Sequence, residues 1–312
     1  MHKILLFLVL LPTFLFAQQL PDRSAFGELA HVWNPAMTAT YNFWEASANY
    51  RQQWLGFENA PQTAILSVQY PFERANTSIG GYFMHDRIQP LQFTTLGFNY
   101  AYKFNLGLTR DDKFALGASV NASQYTVDAL EIVVNDPDDE LVPTGENGTL
   151  GINAGLGFFY TTYAGTRRQS YDSKNAFFIG GAVNQLIPSN LVITESNRLS
   201  NWKRELHGNV LIGARLVKDR IFIEPSAWVN YSAVNNINAS VNIKMEMKGA
   251  FWTAVTYSTN QTVAVQLGLI TIGGFAKEDY WRIGALGSYN IGDFGDYRTV
   301  GFEVNVAYRF AM

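Results

Sequence analysis

Apolar and polar side chains alternate with a two-residue period along most of this chain. Between Asn236 and Lys248, Ile237, Ala239, Val241, Ile243, Met245 and Met247 alternate with Asn238, Ser240, Asn242, Lys244, Glu246 and Lys248. A strand turns successive side chains to opposite faces, so this segment predicts one strand with an apolar face and a polar face. Over residues 91–106 the same pattern sets Leu96, Phe98, Tyr100, Tyr102, Phe104 and Leu106 against Thr95, Gly97, Asn99, Ala101, Lys103 and Asn105. A Lys facing lipid near a bilayer midplane costs about 2–4 kcal/mol, which fixes the register: Lys244 and the Asn residues beside it face a lumen.

Segments of this kind number about 14 and are separated by turn signals, at 42–51, 62–71, 77–87, 91–106, 112–127, 149–161, 175–187, 204–218, 220–232, 236–247, 249–258, 261–273, 280–290 and 297–310. The expected fold is all-β, a transmembrane outer-membrane β-barrel of about 14 antiparallel strands. An even count returns both ends of the barrel to one side of the membrane. The two longest polar connections, Asp128 to Gly148 and Pro188 to Lys203, follow odd-numbered strands and so fall outside the cell, where such barrels carry their long loops. Thr162 to Lys174 is the exception, a moderately long turn on the periplasmic side.

Ahead of the first strand, Lys3 precedes an apolar run from Ile4 to Phe16 and then Ala17-Gln18. That run is too short to cross ~30 Å of hydrocarbon as a helix and reads as a signal peptide, residues 1–17, cleaved after Ala17. Residues 18–41 have no clear period and form a periplasmic lead-in, a short plug or a disordered terminus, with the barrel domain spanning 42–312. The 312 residues hold no Cys, which excludes a thiolate metal site and a cysteine-linked lipid anchor. Cleavage takes away Lys3 and no acid and moves the net charge from −3 to −4, a balance that argues against a nucleic-acid partner.

From Tyr50 to Phe72 the chain reads as two strand-like halves around an Asn59-Ala60-Pro61 break. Within it, Arg51, Gln53, Trp54, Gly56, Phe57, Ala60, Pro61 and Thr63 reproduce a spacing, RxQWxGFxxAPxT, that resembles the signature of the PorP/SprF family of Bacteroidetes. Asn34-Pro35-Ala36 is similar to a second family element, although Met37-Thr38-Ala39-Thr40 follows it where the family has an Ala-Gly pair. Gly80 to Ile88, Asn99-Tyr100-Ala101-Tyr102 and the final strand fit loosely, with Phe302 standing where the family tends to place a His. The resemblance implies an outer-membrane accessory barrel of the type IX secretion and gliding machinery. Its implied role is to receive or anchor a secreted, adhesin-like surface protein through that cargo's C-terminal signal domain. The implied partners are outer-membrane lipid, that cargo domain and periplasmic components of the machinery.

Two other functions compete with this one. The inward charges Lys103, Arg215, Glu224, Lys244, Glu246, Arg282, Glu303 and Arg309 line a selective solute pore or pair across a filled lumen. His85-Asp86 at a strand end is the one trace of an outer-membrane hydrolase, and it lacks a matched nucleophile. The Gly-rich runs Gly151 to Gly157 and Gly180-Gly181 open no helix, so they make room for packing and not for a phosphate. Trp44, Trp54, Trp228, Trp252 and Trp281 are expected in interfacial girdles. No catalytic, cofactor or metal site is predicted. The acidic stretch from Asp128 to Glu146, with Asp136, Asp138, Asp139 and Glu140 at its centre, is a candidate partner-binding loop, a calcium site or a solvated surface.

Overall fold

The computed structural model describes residues 28–41, 43–128, 146–164, 173–187, 190–195, 198–203, 205–232, 236–273, 279–292 and 299–310. In chain order the strands are β1 (Trp44–Gln52), β2 (Gln62–Phe72), β3 (Thr77–Ile88), β4 (Leu91–Phe104), β5 (Lys113–Asp128), β6 (Glu146–Thr161), β7 (Ala176–Asn184), β8 (Asn190–Glu195), β9 (Arg198–Lys203), β10 (His207–Lys218), β11 (Ile221–Ser232), β12 (Asn236–Met247), β13 (Phe251–Ser258), β14 (Thr262–Ile272), β15 (Tyr280–Asn290) and β16 (Val300–Phe310). All but β8 and β9 pair with their neighbours into one closed antiparallel barrel of 14 strands. The seam joins β1 to β16 from Trp44↔Phe310 to Gln52↔Phe302. Closure gives each barrel strand a neighbour on both sides, which is what lets strands cross hydrocarbon.

The alternation read from the sequence is the alternation of the barrel wall. On β12, Ile237 is 63% exposed on the outside while Asn242 is 4% exposed toward the lumen. Phe98, Tyr100 and Tyr102 face outward from β4, and Asn99, Ala101 and Lys103 are buried inside. Strand positions agree with the expected ones apart from shifts of a few residues, as at β6, β7 and β10. The connection at 188–203, expected to be a loop, holds a separate β8–β9 hairpin outside the barrel sheet.

Two Trp residues depart from the expected girdles. Trp228 and Trp252 are buried inside the lumen, whereas Trp54 and Trp281 are exposed and Trp44 stacks on Phe310 with ring centroids 3.9 Å apart. Trp228 shares the face of Phe222 and Glu224 on β11, so strand parity turns it inward. Trp252 turns inward because glycines leave it a slot: a Cβ at Gly268 would lie 2.1 Å from its ring and one at Gly284 2.8 Å.

Candidate functional site

The eight signature residues come together at the rim opposite the end of β16. Arg51 and Thr63 face the lumen from the adjoining ends of β1 and β2, where they are cross-strand partners. Thr63 Oγ1 donates to Asp86 Oδ1 at 2.5 Å. Between them Gln53 N–H donates to the Pro61 carbonyl, and Leu55 N–H donates to Val300 at the start of β16, which ties the turn across the seam. Trp54 and Phe57 are exposed, with Trp54 at φ 51° and Gly56 at φ 95°, while Ala60 and Pro61 are buried on the return. Asp136, Asp138, Asp139 and Glu140 lie outside the described residues. His85 and Asp86 point to opposite faces of β3, and His85 bonds Thr94 instead, so they make no dyad.

The lumen is occupied by residues 28–41. Ala30–Trp33 form a single helical turn, α1, and Pro35–Met37 a 3-10 turn. Helical backbone is disfavoured just before a proline, so α1 stops at Asn34. The Asn34 side chain then caps the next turn: its Oδ1 accepts from Ala36 N–H at 3.0 Å, with Pro35 at the first position of the turn. Its Nδ2 donates to the Phe158 carbonyl of β6, so the same amide fixes the plug to the wall.

A plug this short leaves most of its backbone groups without internal partners, and a buried carbonyl must still be bonded. The barrel supplies the donors. Asn99 bonds the His31 carbonyl, Asn184 and Asn209 both bond that of Trp33, Ser78 that of Thr38 and Lys103 that of Ala39. Gln69 accepts from Ala39 N–H. Leu29, Val32 and Trp33 pack with Ile65, Tyr82, Met84, Phe159, Phe178, Leu211 and Trp228 in one buried cluster. Glycines of three strands form a groove for the Asn34-Pro35-Ala36 turn. A Cβ at Gly117 would lie 2.1 Å from Ala36 N, one at Gly157 2.2 Å from Asn34 Oδ1, and one at Gly180 3.2 Å from Asn34 Nδ2.

Beside the plug, close to the rim where β16 ends, lies an ion network. Arg282 reaches Glu28 at 3.0 Å and Glu246 at 2.9 Å. Lys244 stands 3.2 Å from Glu246 and 3.6 Å from Glu28, and Arg309 bridges Glu28, at 3.5 Å, to Glu45. Arg215 pairs with Glu224 at 2.6 Å and donates to Tyr41 Oη. Six of the inward charges, Arg215, Glu224, Lys244, Glu246, Arg282 and Arg309, thus take part in ion pairs within a filled lumen, while Lys103 bonds the Ala39 carbonyl and Glu303 accepts from Asn49; Glu28 is the plug's contribution. Sequence reasoning missed Glu28 and the Asn donors; inward Asn and Gly at matching depth on several strands were the available signal.

Burial opposes ionisation of Glu28, yet Arg282, Lys244 and Arg309 hold it well below the usual carboxylate range. Burial pushes His31 down to about 3. Both values are depressed relative to the free segment. Docking energy is therefore fully present above pH 6.5, falls first through His31 and then, below about pH 4.5, through Glu28 as well. One proton corresponds to about 1.4 kcal/mol per pH unit. Planar-bilayer recordings of the purified barrel should show openings that rise more than about tenfold between pH 7 and pH 5. Equal closed times at the two pH values would exclude proton-coupled docking.

Fold and lumen define an outer-membrane β-barrel of 14 strands that carries an N-terminal segment inside it. Residues 15–308 match the family described as "Type IX secretion system membrane protein PorP/SprF", and the chain belongs to that family. No curated protein matches it in sequence. Among solved structures it is similar to the CymD monoaromatic hydrocarbon channel (TM-score 0.55, 11% identity, 92% of this chain and 93% of that one). It is also similar to the Pseudomonas putida toluene transporter TodX (TM-score 0.54, 11% identity, 92% and 94%) and to a Pseudomonas aeruginosa FadL homologue (0.52, 10%, 89% and 92%). At these identities the likeness is one of fold. Family and neighbours are secretion components and channels, and none is described as an enzyme.

Proposed function

We propose that this protein is an accessory barrel of type IX secretion that receives or anchors a secreted surface protein at its outer rim and does not conduct that cargo. The observation that supports this over a passive solute pore is the filled lumen. The plug backbone accepts bonds from β3, β4, β7 and β10, the Asn34 side chain donates to β6, and two cavities beside the plug among the described residues, of about 70 and 50 Å³, have room for only a few water molecules each. A protein cargo then has only the rims to meet. With the end of β16 in the periplasm, the long connections, the β8–β9 hairpin and the signature turn share the outer rim, where loops on a rigid scaffold carry recognition.

The test is pull-down of the tagged barrel with mass spectrometry, alongside surface proteomics of a deletion strain. A secreted surface protein should co-purify and leave the surface of the deletion strain. Replacing 135–145 by a short Gly-Ser turn should weaken its capture while the barrel still folds. An unchanged exported set with no co-purifying surface protein would sink the reading.

A further inference from the structure

The ion network divides into a receptor built by the barrel and a carboxylate supplied by the plug. Lys244, Arg282, Arg309, Glu45 and Glu246 all sit on barrel strands, and Glu28 alone comes from the segment inside. With Glu28 in place the six charges balance. Without it three cations face two carboxylates in a buried setting, where an unmatched charge is costly and draws in a counter-anion.

Arg282 and Arg309 are positioned by barrel residues as well as by Glu28. The Arg282 guanidinium lies over the Trp252 ring at 4.2 Å, and Glu246 takes two hydrogen bonds from it at 2.9 and 3.1 Å, so its Nη2 is aimed at the Glu28 position. Arg309 is held by Glu45 and lies 4.9 Å from the Phe43 ring centroid. The planar fork of Arg282 suits a carboxylate. Both cavities beside the plug are lined by Glu28 and Arg309, and the cluster lies close to the rim at which β16 ends.

We propose that Lys244, Arg282 and Arg309 form a carboxylate-binding site in the lumen, which Glu28 occupies in cis and which takes a carboxylate entering from the β16 rim when the plug withdraws. The ligand is a small free carboxylate or the carboxylate of a peptide; the shared chemistry is one planar anion between two guanidinium groups and an ammonium. The site lies in the lumen, near the rim where β16 ends, apart from the outer rim at which a secreted protein would be met.

The test uses the full chain in detergent, with the midpoint of heat-modified gel mobility as readout. Glu28→Ala empties the anion position and should lower the midpoint. Sodium acetate should restore at least half of that shift, while sodium chloride at equal ionic strength should not. Glu28→Gln keeps the side chain in place and should gain nothing from acetate, and the unmodified protein should be moved by neither salt. Rescue by acetate alone assigns the site to small free carboxylates; rescue by N-acetyl-diglycine as well, but not by its amide, assigns it to peptide carboxylates. Equal effects of acetate and chloride on Glu28→Ala would overturn the proposal. If Glu28→Ala yields no folded barrel, refolding yield in acetate against chloride decides in the same way: a gain in acetate alone supports the site, and equal yields refute it.

Discussion

Gly117→Val is expected to drive the plug out of the lumen and turn a closed barrel into one that conducts ions. The added Cβ would meet plug backbone, Ala36 N at 2.1 Å and the Pro35 carbonyl carbon at 2.4 Å. Backbone cannot rotate away as a side chain can, so the whole 3-10 turn must move. Asn34 then loses its hold on Phe158, and Leu29 and Val32 leave their buried cluster at a cost of about 1.5–3 kcal/mol each. The wall itself is untouched, since Gly117 pairs with Ala101 and Gly157 through backbone. Planar-bilayer conductance checks the outcome, with heat-modified mobility confirming that the barrel has folded. A folded Gly117→Val barrel that stays closed would mean that residues 28–41 do not seal the lumen.

Arg282→Met should be the most destabilising single change in the ion network. Arg282 is 1% exposed and donates to Glu28 and to both oxygens of Glu246. Its loss leaves three buried carboxylates against two cations, and removing one partner of a buried pair costs about 3–5 kcal/mol. Adding Glu246→Met restores the balance of charge and fills the space with apolar atoms. The double variant should therefore recover more than half of the loss, read as the denaturation midpoint in a double-mutant cycle. If the double variant is as weak as the single one, the cost lies in packing against Trp252 and not in charge.

The wall of this barrel was legible residue by residue. Lys244 sets the register of β12, and with it the inward side of Asn242 and Glu246. Alternation also puts Trp228 on the face of Glu224; an expectation of aromatic girdles drawn from residue type fails there because parity is the stronger constraint. The β8–β9 hairpin was hidden by the shortness of its strands and by the polar residues around them, which read as loop. The plug was only half legible. Asn34-Pro35-Ala36 announces a turn, but its docking place is made by Gly117, Gly157 and Gly180 on three other strands, and no local pattern connects them. Four charges of the network, Lys244, Glu246, Arg282 and Arg309, were visible as inward residues, while the part taken by Glu28 depends on where the plug ends up.

The plug ends at Tyr41 and β1 begins at Trp44, so the plug is leashed to the wall by a very short stretch of chain. A group on so short a tether returns to its site at an effective concentration on the order of millimolar or higher. Any soluble competitor meets this standing local supply, and a weak ligand present in micromolar amounts leaves the lumen sealed. Withdrawal is equally unable to become permanent, because the displaced segment stays beside the rim and reseats without a diffusional search. Opening and closing thus belong to one molecule, with a resting state reset by its own chain.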